Sequence, residues 1–136
     1  MKIVKTAQSG FARIYALLVN LVASILTLTE TGGTLTTDGT EQNIYTNDAP
    51  AGIYSPREVF IDFTNQTAGE TLVVREYYRI KSGGDLIKID ETSFVGVQDP
   101  LLKCISLKDN RFGIQVTAEL TAGVNRDYDW EAIYKI

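Results

Sequence analysis

Residues 112–120 read Phe-Gly-Ile-Gln-Val-Thr-Ala-Glu-Leu, with an apolar side chain at every even position and glycine or a polar one at every odd position. Successive side chains of a strand point to opposite faces, so this run predicts a strand with one buried and one wet face. Val59, Ile61 and Phe63 repeat the pattern, as do Trp130, Ala132, Tyr134 and Ile136. Further short runs rich in β-branched and aromatic residues extend the series. The predicted strands are Thr34–Thr37, Gln42–Thr46, Gly52–Tyr54, Glu58–Thr64, Thr71–Ile80, Leu86–Glu91, Leu102–Leu107, Phe112–Leu120 and Asp127–Ile136. Turn residues separate them at Asp38-Gly39, Ala68-Gly69, Ser82-Gly83-Gly84, Asp109-Asn110 and Ala122-Gly123. A spacing of about 10–13 residues suits consecutive antiparallel strands without crossover helices. The expected fold is mainly β: an antiparallel sandwich or jelly-roll-like domain over residues 32–136, preceded by one long N-terminal helix.

That helix follows from a second period. Residues 1–28 hold no proline and one glycine, Gly10. Val4, Ala7, Phe11, Ile14, Leu18, Leu21, Ile25 and Leu28 step alternately by three and four, the a/d seam of a helix packing against copies of itself. These eight residues are the expected oligomer interface, and mixed Ile and Leu with a bulky Phe11 favour a trimer or higher. Tyr15, Leu17, Val19, Val22 and Leu26 lie outside the seam, and only the line Arg13, Asn20, Thr27 is polar on every turn. Such a helix requires burial on several sides. The pair Gly32-Gly33 after Thr29-Glu30-Thr31 reads as a helix stop and hinge, dividing an assembly helix (1–31) from the β-domain. Three other readings of the segment stand beside assembly. It is a membrane contact, although Ile14–Leu28 falls short of the ~20 residues of a span; or a signal peptide with Lys2 and Lys5 as its basic start; or an intramolecular core helix.

Little in the chain carries chemistry. There is no histidine, so the commonest general base and metal ligand is missing. Cys104 is the single cysteine, excluding an internal disulfide, and its strand-like surroundings predict a small buried hydrophobe. Asp127 and Asp129 share a strand face and suggest either a calcium contact, a pairing with Arg126, or a solvent face opposite Trp130. No phosphate-binding glycine loop, nucleophile elbow or calcium-loop motif occurs. Asn65-Gln66-Thr67 matches a glycosylation sequon. Arg75, Tyr77 and Arg79 alternate along one face of a strand with Glu76 and Tyr78 on the other. They make either a partner surface or an ordinary face of cross-strand ion pairs. No catalytic residue, cofactor or metal site is expected, and the protein reads as a non-enzyme. An outlying alternative is a sugar-binding module with Tyr54 or Tyr77 as stacking platforms.

The net charge of −4 divides unevenly: Lys2, Lys5 and Arg13 give residues 1–28 a charge of +3, leaving −7 on the remainder. An acidic body argues against nucleic-acid binding by the β-domain. An apolar helix, a Gly-Gly segment and a Thr/Gly-rich β-domain resemble small structural proteins of virions. The segments Gly33–Gln42 and Asp127-Tyr128-Asp129-Trp130-Glu131 are similar to a short β-domain of virus-like genes. The likeness covers most of residues 33–136 and implies a capsid-associated, decoration or spike-type role. Its partners would be further copies of this chain and other capsid proteins, and its location the virion. The alternative is a filament subunit or membrane-anchored surface protein, extracellular or at the cell surface.

Overall fold

The computed structural model describes residues 10–18, 27–48 and 55–135. Residues 10–18 form a helix, α1. Eight strands follow: β1 (Leu28–Thr36), β2 (Gln42–Asn47), β3 (Ser55–Asp62), β4 (Thr71–Tyr78), β5 (Ile87–Val95), β6 (Leu102–Ser106), β7 (Ile114–Ala122) and β8 (Asp127–Lys135). They make two four-stranded sheets, ordered β1-β8-β3-β6 and β2-β7-β4-β5, with every pairing antiparallel. The fold is β-sandwich-like. Its pairings nest about the centre of the chain: β4 with β5, β3 with β6, β2 with β7 and β1 with β8. Only the β4–β5 connection stays within one sheet.

Alternation places the core. Ile114, Val116, Ala118 and Leu120 of β7 are buried, as are Leu72 and Val74 of β4 on the same sheet. Val59 and Ile61 of β3, the adjoining Phe63, and Tyr128 and Ala132 of β8 meet them from the other sheet. Phe63 anchors one end, with ring centroids 4.7 Å from Phe94 and 5.6 Å from Tyr128. Each Val, Leu, Ile or Phe side chain so buried contributes roughly 1.5–3 kcal/mol on leaving water. Beneath these rings lies a buried polar knot. Gln66 Nε2 donates to the carbonyls of Phe94 and Gly96. Thr37 N–H and hydroxyl donate to the Arg126 carbonyl, and Arg126 N–H donates back to Thr37 Oγ1.

The N-terminal boundary differs from the sequence-based expectation. Thr29–Gly33 is no helix stop; it lies within β1, paired residue for residue with β8 from Leu28↔Lys135 to Thr36↔Asp127. The β-domain therefore starts at Leu28, ahead of residue 32, and a helical segment reaching residue 31 is excluded. Leu28 accordingly leaves the helical seam for a strand. Gly32 is explained by a distant neighbour rather than by helix termination. A Cβ on Gly32 would stand 2.7 Å from the Trp130 carbonyl oxygen, whereas one on Gly33 would lie at ordinary contact distance, 3.5 Å, from the Trp130 indole. Close backbone approach selects glycine at such a strand position.

Other departures are smaller. β5 runs on to Val95, its residues 92–95 pairing with residues 71–74 of β4, and a bulge absorbs Ile89: Glu76 pairs with Asp90 and Tyr77 with Lys88. β7 begins at Ile114, since Gly113 takes a φ of +145° and separates Phe112 from the strand. The expected strand Gly52–Tyr54 lies outside the described residues.

Candidate assembly surfaces

Helix α1 presents apolar side chains to solvent. Phe11, Ile14, Tyr15, Leu17 and Leu18 are each more than half exposed, from 55% for Leu18 to 73% for Phe11. Its one charged residue is Arg13. Phe11, Ile14 and Leu18 of the expected seam thus lie on a helix and uncovered by the described residues of their own chain. Val4, Ala7, Leu21 and Ile25 lie outside the described residues. A concentration of large exposed apolar groups marks a contact with protein or lipid. Among the described residues, no helix is long and apolar enough to cross a membrane.

A second surface is the outer face of the β1-β8-β3-β6 sheet. Inward positions are filled by Leu35, Ile61, Tyr128 and Ala132, so their neighbours point out. On β8 the outward set is Asp127, Asp129, Glu131, Ile133 and Lys135; on β3 it includes Glu58, Phe60 and Asp62; on β6 it is Leu102, Cys104 and Ser106. Phe60, Leu102, Asp62, Asp129, Trp130 and Glu131 line a shallow depression of about 310 Å³. It is an apolar floor with a carboxylate rim. Thr34 donates to Asp129 Oδ1 and Thr36 to Asp127 Oδ1, both at 2.6 Å, and these neutral donors leave the negative charge in place. Hydrogen bonds from the Thr64 hydroxyl and N–H hold the Asp62 carboxyl below the usual carboxylate range.

Two expectations change on this face. Asp127 and Asp129 pair with threonines, whereas Arg126 turns away and its Nε donates to Glu70 Oε1 at 2.9 Å. Among the described residues no group of three or more Cys, Asp or Glu side chains is placed to hold a metal ion. Cys104, expected to be buried, is exposed beside Phe60. In the edge strand β6, Ile105 takes the inward position and leaves Cys104 outside. Partial burial, then the neighbouring Glu58 carboxylate, push its thiol pKa up and keep it protonated.

The Arg75, Tyr77 and Arg79 group is internally paired. Arg75 Nε meets Glu91 Oε2 and its Nη1 meets Glu119 Oε2, both at 2.7 Å, with Glu41 at 3.3 Å. Hydrogen bonds with Glu119 and Glu91 raise the guanidinium pKa further. Tyr77 and Thr117 donate to Glu41 Oε1. Burial opposes ionisation of Glu41, but those bonds and the Arg75 charge outweigh it and lower its pKa. Arg79, past the end of β4, donates to the carbonyl and carboxylate of Asp48 instead. The sequence brought three residues into one face; the fold uses two of them to tie β4, β5 and β7 to the Glu41 segment.

Between the sheets at the β1/β2 side, Thr31, Ile44–Asn47, Trp130 and Tyr134 line an open cleft of about 360 Å³. The rings of Tyr45 and Tyr134 stack there at 6.0 Å. In the sequon, Asn65 Nδ2 donates to the Asp127 carbonyl. The Phe60–Leu102 depression was not recognised in the sequence. Its signal is an aromatic at an outward position of an alternating strand, which becomes a groove only once β6 is paired in register. No protein-family model matches the chain, and no curated protein matches it.

Proposed function

We propose that this protein is a non-enzymatic structural component of a virus particle, capsid-associated or decorating, which assembles as a homo-oligomer through its N-terminal helix. The observation that carries the proposal is α1, whose five large apolar side chains stand in solvent on the isolated chain. Burying them on association removes an exposure that a free monomer would not tolerate. The fold supports the same reading. Nested pairing of β1–β8, β2–β7, β3–β6 and β4–β5 is one long antiparallel hairpin wound into two sheets. We infer from it a jelly roll, an architecture shared by viral capsid and lectin domains. Architecture alone does not assign function, so the helix has the greater weight. The particle itself supplies the test. Virions purified by density gradient from the source should contain peptides of this chain in constant ratio to the major shell protein; virions without it contradict the proposal.

The same helix supports a second reading, a filament subunit or a surface protein whose helix rests against lipid. Its apolar face, with Arg13 on the helix and Lys2 and Lys5 earlier in the sequence, suits an anionic membrane surface. Filaments in electron micrographs, or partition of the chain into detergent, would favour this reading over the first.

A further inference from the structure

We propose that α1 of one copy docks on the outer face of the β1-β8-β3-β6 sheet of a second copy, its apolar side chains over Phe60 and Leu102 and its Arg13 against Asp129 and Glu131. This inference rests on the assembly reading above and names the surface that covers the helix. The two surfaces are complementary in kind. One is apolar with a single cation; the other is apolar with a carboxylate rim of Asp62, Asp129 and Glu131, flanked by Asp127 and Glu58. Among the described residues, the cations of this sheet face, Lys135 and the bulged Arg57, lie near the end where β1 begins, away from the Phe60–Leu102 floor.

Charge also argues against a bundle made of helices alone. Residues 1–28 contain Lys2, Lys5 and Arg13 without an acidic partner, so a bundle gathers like charges. The −7 on the rest of the chain makes a body of a second copy the better electrostatic partner. Dimensions agree. A helix about 10 Å across spans three strands spaced about 4.8 Å apart, the width of β8, β3 and β6. A contact between two different surfaces of one chain either closes reciprocally as a two-fold dimer or, when heterologous, repeats into a ring or an open array. That is the behaviour of a shell or decoration subunit.

Cys104, the single cysteine, stands beside Phe60 in the docking surface and provides the test. Leu17→Cys places a second thiol on the helix of the full-length chain. Mild copper-catalysed oxidation should then give a ladder of covalent oligomers on a non-reducing gel, abolished by adding Cys104→Ser. Dimers that persist with Cys104→Ser would overturn the proposal in favour of helix-to-helix packing. A fast-migrating monomer with an internal disulfide would overturn it in favour of docking within one chain, and the absence of any cross-link would overturn it outright. Native mass of the same sample separates the two claims: an oligomer without the cross-link contradicts only the docking surface, whereas a monomer contradicts assembly itself. A charge exchange guards against misfolding of the cysteine variant. Arg13→Glu should weaken self-association about tenfold, and Asp129→Lys with Glu131→Lys should restore it. No weakening, or weakening without restoration, also overturns the proposal.

Discussion

The hydroxyl of Tyr128 donates to Gln66 Oε1 at 2.9 Å, wholly inside the protein, and so ties β8 to the loop between β3 and β4. Burial pushes the Tyr128 pKa up to about 12. Tyr128→Phe keeps the ring packing against Phe63 but leaves Gln66 Oε1 buried without its donor. The expected loss is about 1–3 kcal/mol in denaturant unfolding at pH 7. The pH dependence has a definite sign. An unfolded tyrosine ionises near pH 10, while the folded one holds its proton to about 12. Stability is therefore fully present below pH 10 and falls as pH rises from 10 towards 12. The Phe variant should lack this component of the alkaline decline.

Glu76 titrates at the other extreme. It is buried on the inner side of β4, its Oε1 has no hydrogen-bond partner, and burial raises its pKa. The Lys108 N–H and charge partly offset this effect, while Asp90 on β5 adds to it. A carboxyl with a raised folded pKa favours the native state below its unfolded value near 4.5 and loses that contribution as pH rises through the folded value. Glu76→Gln should thus be more stable than the natural chain at pH 7–8 by about 1 kcal/mol, with the two curves converging near pH 4. Thermal melts across pH 4–8 would read this directly. Equal melting temperatures at pH 8 would contradict it.

Arg75 is the shared cation of Glu41, Glu91 and Glu119, so Arg75→Met leaves these three carboxylates together with Lys88, at 2.8 Å from Glu91, as the remaining cation beside them. The partners are partly exposed and screened, which limits the effect. A fall in Tm of roughly 3–6 °C at low salt is expected, shrinking in high salt as the repulsion is screened.

Gly32 tests the position of β1. An added methyl meets the Trp130 carbonyl oxygen at 2.7 Å, a backbone atom that cannot swing aside. Gly32→Ala should cost about 1–3 kcal/mol and expose β1 amides to hydrogen exchange. A variant as stable as the natural chain would argue that β1 is not paired with β8.

The strands were legible wherever one residue in two had to be apolar. β7 and β8 were read almost to their ends, because Ile114, Val116, Ala118 and Leu120, and Tyr128 and Ala132, have one neighbouring sheet to face. β1 was not legible. Leu28-Thr29-Glu30-Thr31-Gly32-Gly33 looks locally like the end of a helix, and its partner strand lies about a hundred residues away. Register hid the outer-face depression as well. Phe60 and Leu102 are outward residues of separate strands until β3 and β6 pair, and Cys104 cannot be assigned to either face from Leu102-Lys103-Cys104-Ile105 alone. The apolar character of the helix was plain from its sequence.

Native mass of the full-length chain, beside Leu18→Asp, tests the central claim most directly. Leu18 is exposed on the isolated chain, so the substitution should spare the β-domain and burden only a contact that buries it. The natural chain should run as an oligomer and Leu18→Asp as a folded monomer with the same strand content. A natural chain that stays monomeric, or an oligomer indifferent to Leu18→Asp, would contradict assembly through the helix.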